Sequence, residues 1–101
     1  MRVIWTNQAQ KDRLAIWEYI VANNPVAAGE MDVRFSEAAS SLTDHPGMGR
    51  EGEVPCTREL FPNELYRLVY EGYQETVWVI ALVHTARLWP KSISDNDEVP
   101  D

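Results

Sequence analysis

Thr76-Val77-Trp78-Val79-Ile80-Ala81-Leu82-Val83 is the stretch on which the fold turns. It carries no charge, is rich in β-branched and aromatic residues, and is apolar at odd and even positions alike. Such a segment predicts a strand covered on both faces, a central strand of its sheet. Just before it, Gly72-Tyr73-Gln74 marks a turn, and Leu65 to Glu71 alternates as a second strand. Pro62-Asn63-Glu64 is a tight connection, and Val54 to Phe61 reads as a third strand with a proline near its start. Links this short join antiparallel neighbours, so the three strands form a meander. Residues 45–53, with three glycines and a proline, read as a loop.

Upstream the period changes from two to 3.6. Residues 2–5 (Arg-Val-Ile-Trp) predict a short first strand that pairs at an edge. Thr6 is a good N-cap for a helix over Asn7–Ala22, where Ala9, Ile16, Trp17, Ile20 and Val21 fall at helical spacings. Asn23-Asn24-Pro25 breaks the chain and restarts it, with Asn24 as cap and Pro25 at the first helical position. Ala28, Met31, Phe35, Ala38 and Leu42 then form one continuous apolar stripe. The short connection makes the two helices an antiparallel hairpin, whose stripe must lie on the sheet. The expected fold class is α+β, in the order β-α-α-β-β-β, with the helical hairpin on a small, curved, mainly antiparallel sheet.

Composition bounds the function. The 101 residues make one domain rather than two, and 45% hydrophobic with 25% charged residues excludes a disordered chain. A domain this small buries roughly 60–65% of its unfolded surface, so its stability margin is modest. The single cysteine, Cys56, excludes an internal disulfide and reads as a small, half-buried residue rather than a nucleophile. No Cys/His spacing suggests zinc, no run approaches the roughly 18 apolar residues of a membrane span, and Met1–Thr6 turns polar too soon for a signal peptide. The expectation is a cytoplasmic protein without metal, cofactor or membrane.

Nine basic residues against sixteen acidic give a net charge of −7, the wrong sign for a chain that grips phosphate non-specifically. Four of the acidic residues, Asp95, Asp97, Glu98 and Asp101, stand at the C-terminal end, and without them the charge is −3. Residues 1–90 are therefore read as the folded domain and residues 91–101 as an acidic, flexible tail. Seven of the nine basic residues are arginine, which favours fixed bidentate contacts over diffuse attraction. A local basic site is allowed; a broad basic surface is not.

No phosphate-binding glycine motif, nucleophile elbow or paired metal-spaced histidines appear. What remains is a set of isolated basic groups on the predicted sheet: Arg58, Arg67, His84 and Arg87. Arg67 shares a strand face with Leu65 and Val69, opposite Tyr66, Leu68 and Tyr70. There it either pairs with a carboxylate such as Glu59 or awaits an anionic partner. His84 ends the most buried strand, as a satisfied histidine or as a general base. If the four groups converge, they suit phosphate chemistry, as in metal-free RNA cleavage through the 2′-hydroxyl, or the grip of an acidic peptide.

Several blocks in order resemble the RelE/ParE superfamily of bacterial type II toxins. They are Ile4-Trp5-Thr6…Ala9…Asp12, Ile16…Tyr19-Ile20, Asn24-Pro25…Ala27-Ala28, His45-Pro46-Gly47-Met48-Gly49-Arg50, Thr57-Arg58-Glu59-Leu60, Tyr66-Arg67-Leu68-Val69-Tyr70 and Val83-His84-Thr85-Ala86-Arg87. The resemblance spans about residues 3–90 and implies the same order of elements that periodicity gives. It also implies a small growth-inhibiting toxin of a plasmid-stabilisation type module, neutralised by direct binding of a cognate antitoxin and meeting operator DNA only through that antitoxin. An edge strand and a groove along the helical hairpin are the physical places for an antitoxin segment to add. Trp17, if only partly covered, is an anchor there; as an ordinary indole it belongs to the core.

The superfamily divides by target. RelE-like members are metal-free endonucleases that cut mRNA in the ribosomal A site with several basic residues on the sheet, and that resemblance makes Arg67, Arg58, His84 and Arg87 the catalytic candidates. Leu60, however, stands where a second basic residue is common, and Leu88-Trp89-Pro90 closes the domain where a tyrosine is expected. ParE-like members lack the basic set and poison DNA gyrase. The acidic chain, the half-present catalytic set and the Thr-Arg-Glu-Leu and Val-His-x-x-Arg blocks favour the ParE-like branch. On that side Trp17, Arg58, Arg67 and Arg87 become candidate antitoxin contacts. An inactive scaffold that binds only its antitoxin is the third reading.

Overall fold

The computed structural model describes residues 1–87 and Trp89; the tail expected over residues 91–101 lies outside the described residues. The elements are β1 (Arg2–Trp5), α1 (Asn7–Val21), α2 (Pro25–Ser41), β2 (Arg50–Glu51), β3 (Arg58–Leu60), β4 (Tyr66–Tyr73) and β5 (Thr76–His84). They build one five-stranded sheet in the order β1-β5-β4-β3-β2. β1 runs parallel to β5 at one edge, and every other pairing is antiparallel. The predicted α+β arrangement of a helical hairpin on a mainly antiparallel sheet is what the chain adopts, with one strand more.

Thr6 does two jobs at the β1–α1 junction. Its hydroxyl accepts from the Ala9 N–H at 3.2 Å, capping α1, and donates to the Val79 carbonyl at 3.0 Å, fixing the helix start against β5. Asn24 caps α2 through the Ala27 N–H at 3.1 Å, and Pro25 costs no hydrogen bond in the first turn. Between the helices, Arg13 forks onto the two carboxylate oxygens of Asp32 at 2.6 and 3.0 Å. The α2 stripe lands as predicted: Ala28, Phe35 and Leu42 are buried, and Phe35 meets Tyr66 of β4 edge-on at 5.7 Å between ring centroids. Leu68, Tyr70, Val77, Val79 and Leu82 complete this layer. Each such large side chain contributes about 1.5–3 kcal/mol by leaving water.

A bulge explains why β5 reads as apolar on both faces. Val69 pairs with Ala81 but Tyr70 with Val79, so Ile80 is the extra residue. The alternation changes phase there, and Val77, Val79 and Leu82 all reach the helix side.

Four local expectations are corrected. Within the predicted loop, Arg50 and Glu51 form β2, opposite Glu59 and Arg58. Only Arg58–Leu60 of the predicted Val54–Phe61 strand is extended. Ahead of it Thr57 turns back, both its N–H and its hydroxyl donating to the Val54 carbonyl, and Cys56 takes a positive φ of 70° in the exposed bend, not a half-buried site. Finally, β4 runs on to Tyr73, so the turn centres on Gln74 and Glu75, with Gln74 at φ 58°.

Candidate functional site

Arg67 resolves the choice posed by its strand. Its alternation carries it to the sheet face away from the helices, together with Glu59 and Val69. Glu59 is 2% exposed, and its Oε1 lies 3.5 Å from Arg67 Nη1 and 3.4 Å from Arg50 Nη2. Arg67 Nη2 also donates to the Arg87 carbonyl. Arg50 stacks over Phe61, 4.8 Å from the ring centroid, at the rim. Glu59 Oε2 and Arg67 Nε are buried without a partner, so the pair is closed to solvent but loosely made. The guanidinium is occupied within the fold.

Arg58 is also engaged. It stands opposite Tyr70 on the helix side, and its Nη1 donates to the Gly49 carbonyl at 2.7 Å. Tyr70 grips the same loop: its hydroxyl accepts from the Gly49 N–H at 2.9 Å and donates to the Pro46 carbonyl at 2.8 Å. Gly49 is required here, since a Cβ would meet the Glu59 carbonyl at 2.7 Å and the Tyr70 hydroxyl at 2.9 Å.

His84 points to the face opposite Arg67, because the two sit at adjacent register positions. Its Nδ1 accepts from the Ala86 N–H at 3.1 Å, and its ring meets Tyr66 edge-on at 5.4 Å. Burial, then the neighbouring Tyr19, raises the Tyr66 hydroxyl above its ordinary pKa, against a smaller lowering by Arg87. His84 and Arg87 lie at one end of a groove of about 850 Å³ between α1 and the end of β5. Ile16, Ile20, Met31 and Leu82 give the groove its apolar lining, and Asp12 lies along it. The four basic groups therefore do not share one site: His84 and Arg87 meet at the groove, whereas Arg67 and Arg58 are tied down elsewhere.

Trp17 is 37% exposed and borders a second hollow of about 590 Å³ with Trp5, Leu14, Arg13 and Asp32. α1 thus carries apolar residues on two flanks, and the core accounts for neither Leu14 nor Trp17 in full. Sequence reasoning passed over Asp12 and Tyr19 as site residues. Asp12 left a signal, a carboxylate four residues ahead of Ile16 and eight ahead of Ile20 on one helix face. Among the described residues no three His, Cys, Asp or Glu side chains are grouped to hold a metal, and no helix is long and apolar enough to cross a membrane.

Residues 3–89 match the family described as the ParE toxin of type II toxin–antitoxin systems, parDE. The chain belongs to that family, within the RelE/ParE superfamily. It is 36% identical over 87 residues to Toxin RelE2 of Caulobacter vibrioides, covering 86% of this chain and 98% of that one. Its fold is similar to a structure of the chromosomal ParDE system from P. aeruginosa, with a TM-score of 0.76 at 23% identity over 83% of this chain and 95% of that chain. It is also similar to the YoeB/ParE toxin from Agrobacterium tumefaciens, with a TM-score of 0.58 at 17% identity over 83% and 98% of the two chains.

Proposed function

We propose that this toxin acts on DNA gyrase and is neutralised by an antitoxin that docks in the groove between α1 and β5. The observation that carries the choice of target is the state of Arg67: paired with buried Glu59 and bonded to the Arg87 carbonyl, it offers no free guanidinium to a phosphate. Cleavage of mRNA on the ribosome would need Arg67, Arg58, His84 and Arg87 around one phosphodiester. Arg67 and His84 project from opposite faces of the sheet, and Arg58 is spent on the Gly49 carbonyl. For antitoxin contact the available groups are Arg87, at the groove, and Trp17, beside the second hollow.

The test is pulse labelling of DNA and protein synthesis minutes after inducing the chain without its antitoxin. Loss of DNA synthesis with filamentation, while translation continues, is the expected result. Prompt loss of protein synthesis alone would overturn the gyrase assignment in favour of the ribosome. Continued growth with folded protein present would leave only the scaffold reading.

A further inference from the structure

The turn after β5 is fastened through its backbone and leaves one side chain over. Thr85 donates from its N–H to the Leu65 carbonyl at 2.8 Å and from its hydroxyl to the Glu64 carbonyl at 3.0 Å, which pins the turn to the start of β4. The Arg87 N–H closes on the His84 carbonyl at 2.9 Å, and Arg67 holds the Arg87 carbonyl from the other face of the sheet. Arg87 is therefore fixed by its backbone, while its guanidinium has no partner among the described residues and lines the groove between α1 and β5.

Three more donors line the same groove. His84 Nδ1 accepts from the Ala86 N–H at 3.1 Å, so the neutral imidazole carries its proton on Nε2 and donates there. Tyr66 is 9% exposed, yet its hydroxyl has no hydrogen-bond partner among the described residues, whereas the buried Tyr70 uses its hydroxyl twice. A buried phenol normally finds a partner, and that of Tyr66 opens on the groove. Burial first, and Tyr19 second, keep this phenol protonated and so a donor. Tyr19 adds a second phenol from α1. The one carboxylate among the lining residues is spent: Asp12 Oδ2 accepts from the Leu82 N–H at 3.1 Å and Oδ1 from Gln8 Nε2 at 2.8 Å. Donors gathered from several elements, with no carboxylate left to answer them, make a place for an anion.

The donor set selects the anion. A guanidinium fork, an imidazole N–H and two phenols on separate elements suit the three terminal oxygens of a tetrahedral phosphate better than the planar pair of a carboxylate. The same groove offers the Trp89 indole and the apolar side chains of Ile16 and Ile20, and its volume of about 850 Å³ has room for a base as well. We infer that Arg87, His84, Tyr66 and Tyr19 form a phosphate-binding pocket on the helix side of the sheet, and that its ligand is the phosphate monoester of a nucleotide, free or at the 5′ end of a strand. The inference does not depend on the choice between gyrase and ribosome. An acidic chain can hold one such site because these donors act at contact range, where the net charge of −7 is screened.

The experiment titrates the purified full chain with AMP and follows the His84 imidazole and the Arg87 side chain by proton–nitrogen NMR, with inorganic phosphate, adenosine and acetate as comparisons. Saturable shifts of both side chains are expected with AMP, weaker binding with phosphate, and none with adenosine or acetate. Tyr66→Phe keeps the ring against Phe35, and Arg87→Gln changes an exposed side chain, so both variants stay folded. Each is expected to weaken AMP about tenfold or more, and Arg34→Gln, at an exposed arginine of α2, less than about twofold. Absence of a saturable shift in wild type overturns the pocket. An equal loss in Arg34→Gln overturns it too, since that marks diffuse attraction, and unchanged affinity in Tyr66→Phe and Arg87→Gln places the nucleotide elsewhere. Acetate that binds as tightly as phosphate overturns the phosphate in favour of a carboxylate, and adenosine that binds as tightly as AMP overturns it in favour of the base. A 5′-phosphorylated oligodeoxynucleotide and its unphosphorylated counterpart then separate the two sources: binding of the first alone, and more tightly than AMP, assigns a strand end, and weaker binding than AMP assigns the free nucleotide.

Discussion

Arg67→Met removes the cation from the buried pair while keeping an unbranched side chain in its place. Glu59 is then left with Arg50, whose side chain is 65% exposed and 3.4 Å away, where water screens it. Breaking a buried ion pair by removing one partner costs about 3–5 kcal/mol, because the other charge stays behind. The 3.5 Å contact and the unpartnered Oε2 place this pair at the lower end, about 3 kcal/mol. For a domain of this size that lowers the melting temperature by about 12 °C or more, a large share of a stability of about 5–15 kcal/mol. Glu59→Gln, by contrast, leaves Arg67 bonded to the Arg87 carbonyl and costs about 1–2 kcal/mol. Glu59→Gln combined with Arg67→Met is expected to cost about 2–3 kcal/mol rather than the roughly 4–5 kcal/mol of the two changes added, a coupling of about 2 kcal/mol. Urea unfolding of the four proteins measures all three quantities. A cost below about 0.5 kcal/mol for Arg67→Met, or simple additivity of the two changes, would refute the reasoning. The same series protects the functional test, since a loss of toxicity on replacing Arg67 speaks of the target only in protein that is still folded.

Other consequences are as direct. Tyr66 has a folded-state pKa raised above its unfolded value of about 10, so its contribution is fully present below that pH and is lost as pH rises through the raised value. The urea midpoint of wild type is expected to fall on going from about pH 9 to 11, and to fall less in Tyr66→Phe; equal slopes in the two proteins would count against it. Gly49→Ala drives a Cβ against the Glu59 carbonyl and the Tyr70 hydroxyl, and should cost about 1–3 kcal/mol in chemical denaturation, whereas Gly47→Ala, with open space around it, should cost little. Asp32→Ala cuts the fork to Arg13 between the helices at a partly exposed site. A loss of about 0.5–1 kcal/mol that shrinks in high salt is expected, and salt-independent destabilisation would point to packing instead.

Regular elements were legible wherever local chemistry and long-range packing agree. The Thr6 and Asn24 caps, Pro25 and the α2 stripe each fix a boundary or a face from neighbouring residues alone. β5 announced its burial through its composition, although the bulge at Ile80, which gives it that composition, has no signature in the sequence. β2 could not be read, because two residues carry no period and Arg50 and Glu51 are exposed. The Val54–Thr57 bend hid for a related reason: its turn is made by a threonine hydroxyl and a cysteine at positive φ, not by glycine. At the site, the partner of Arg67 was one of two options the strand alternation left open, and burial of Glu59 decided between them. That Arg58 would be spent on a loop carbonyl, and that the Asp12 carboxylate would accept from the N–H of Leu82, seventy residues away, depends on contacts between distant segments, which residue types do not encode.

β5 joins the two halves of the sheet, and its position in the chain has a consequence for synthesis. The helical hairpin is complete by Leu42, yet the surface that covers Phe35 and Leu42 includes residues as far along as Leu82. At about 5–20 residues per second, the interval between the two is roughly 2–8 s. For that time the hairpin leaves the ribosome with its apolar stripe uncovered, and β1 waits without the strand it pairs with. The nascent toxin is therefore a different target from the finished one. A binding protein that arrives within those seconds meets bare helices, and one that arrives later meets a closed sheet.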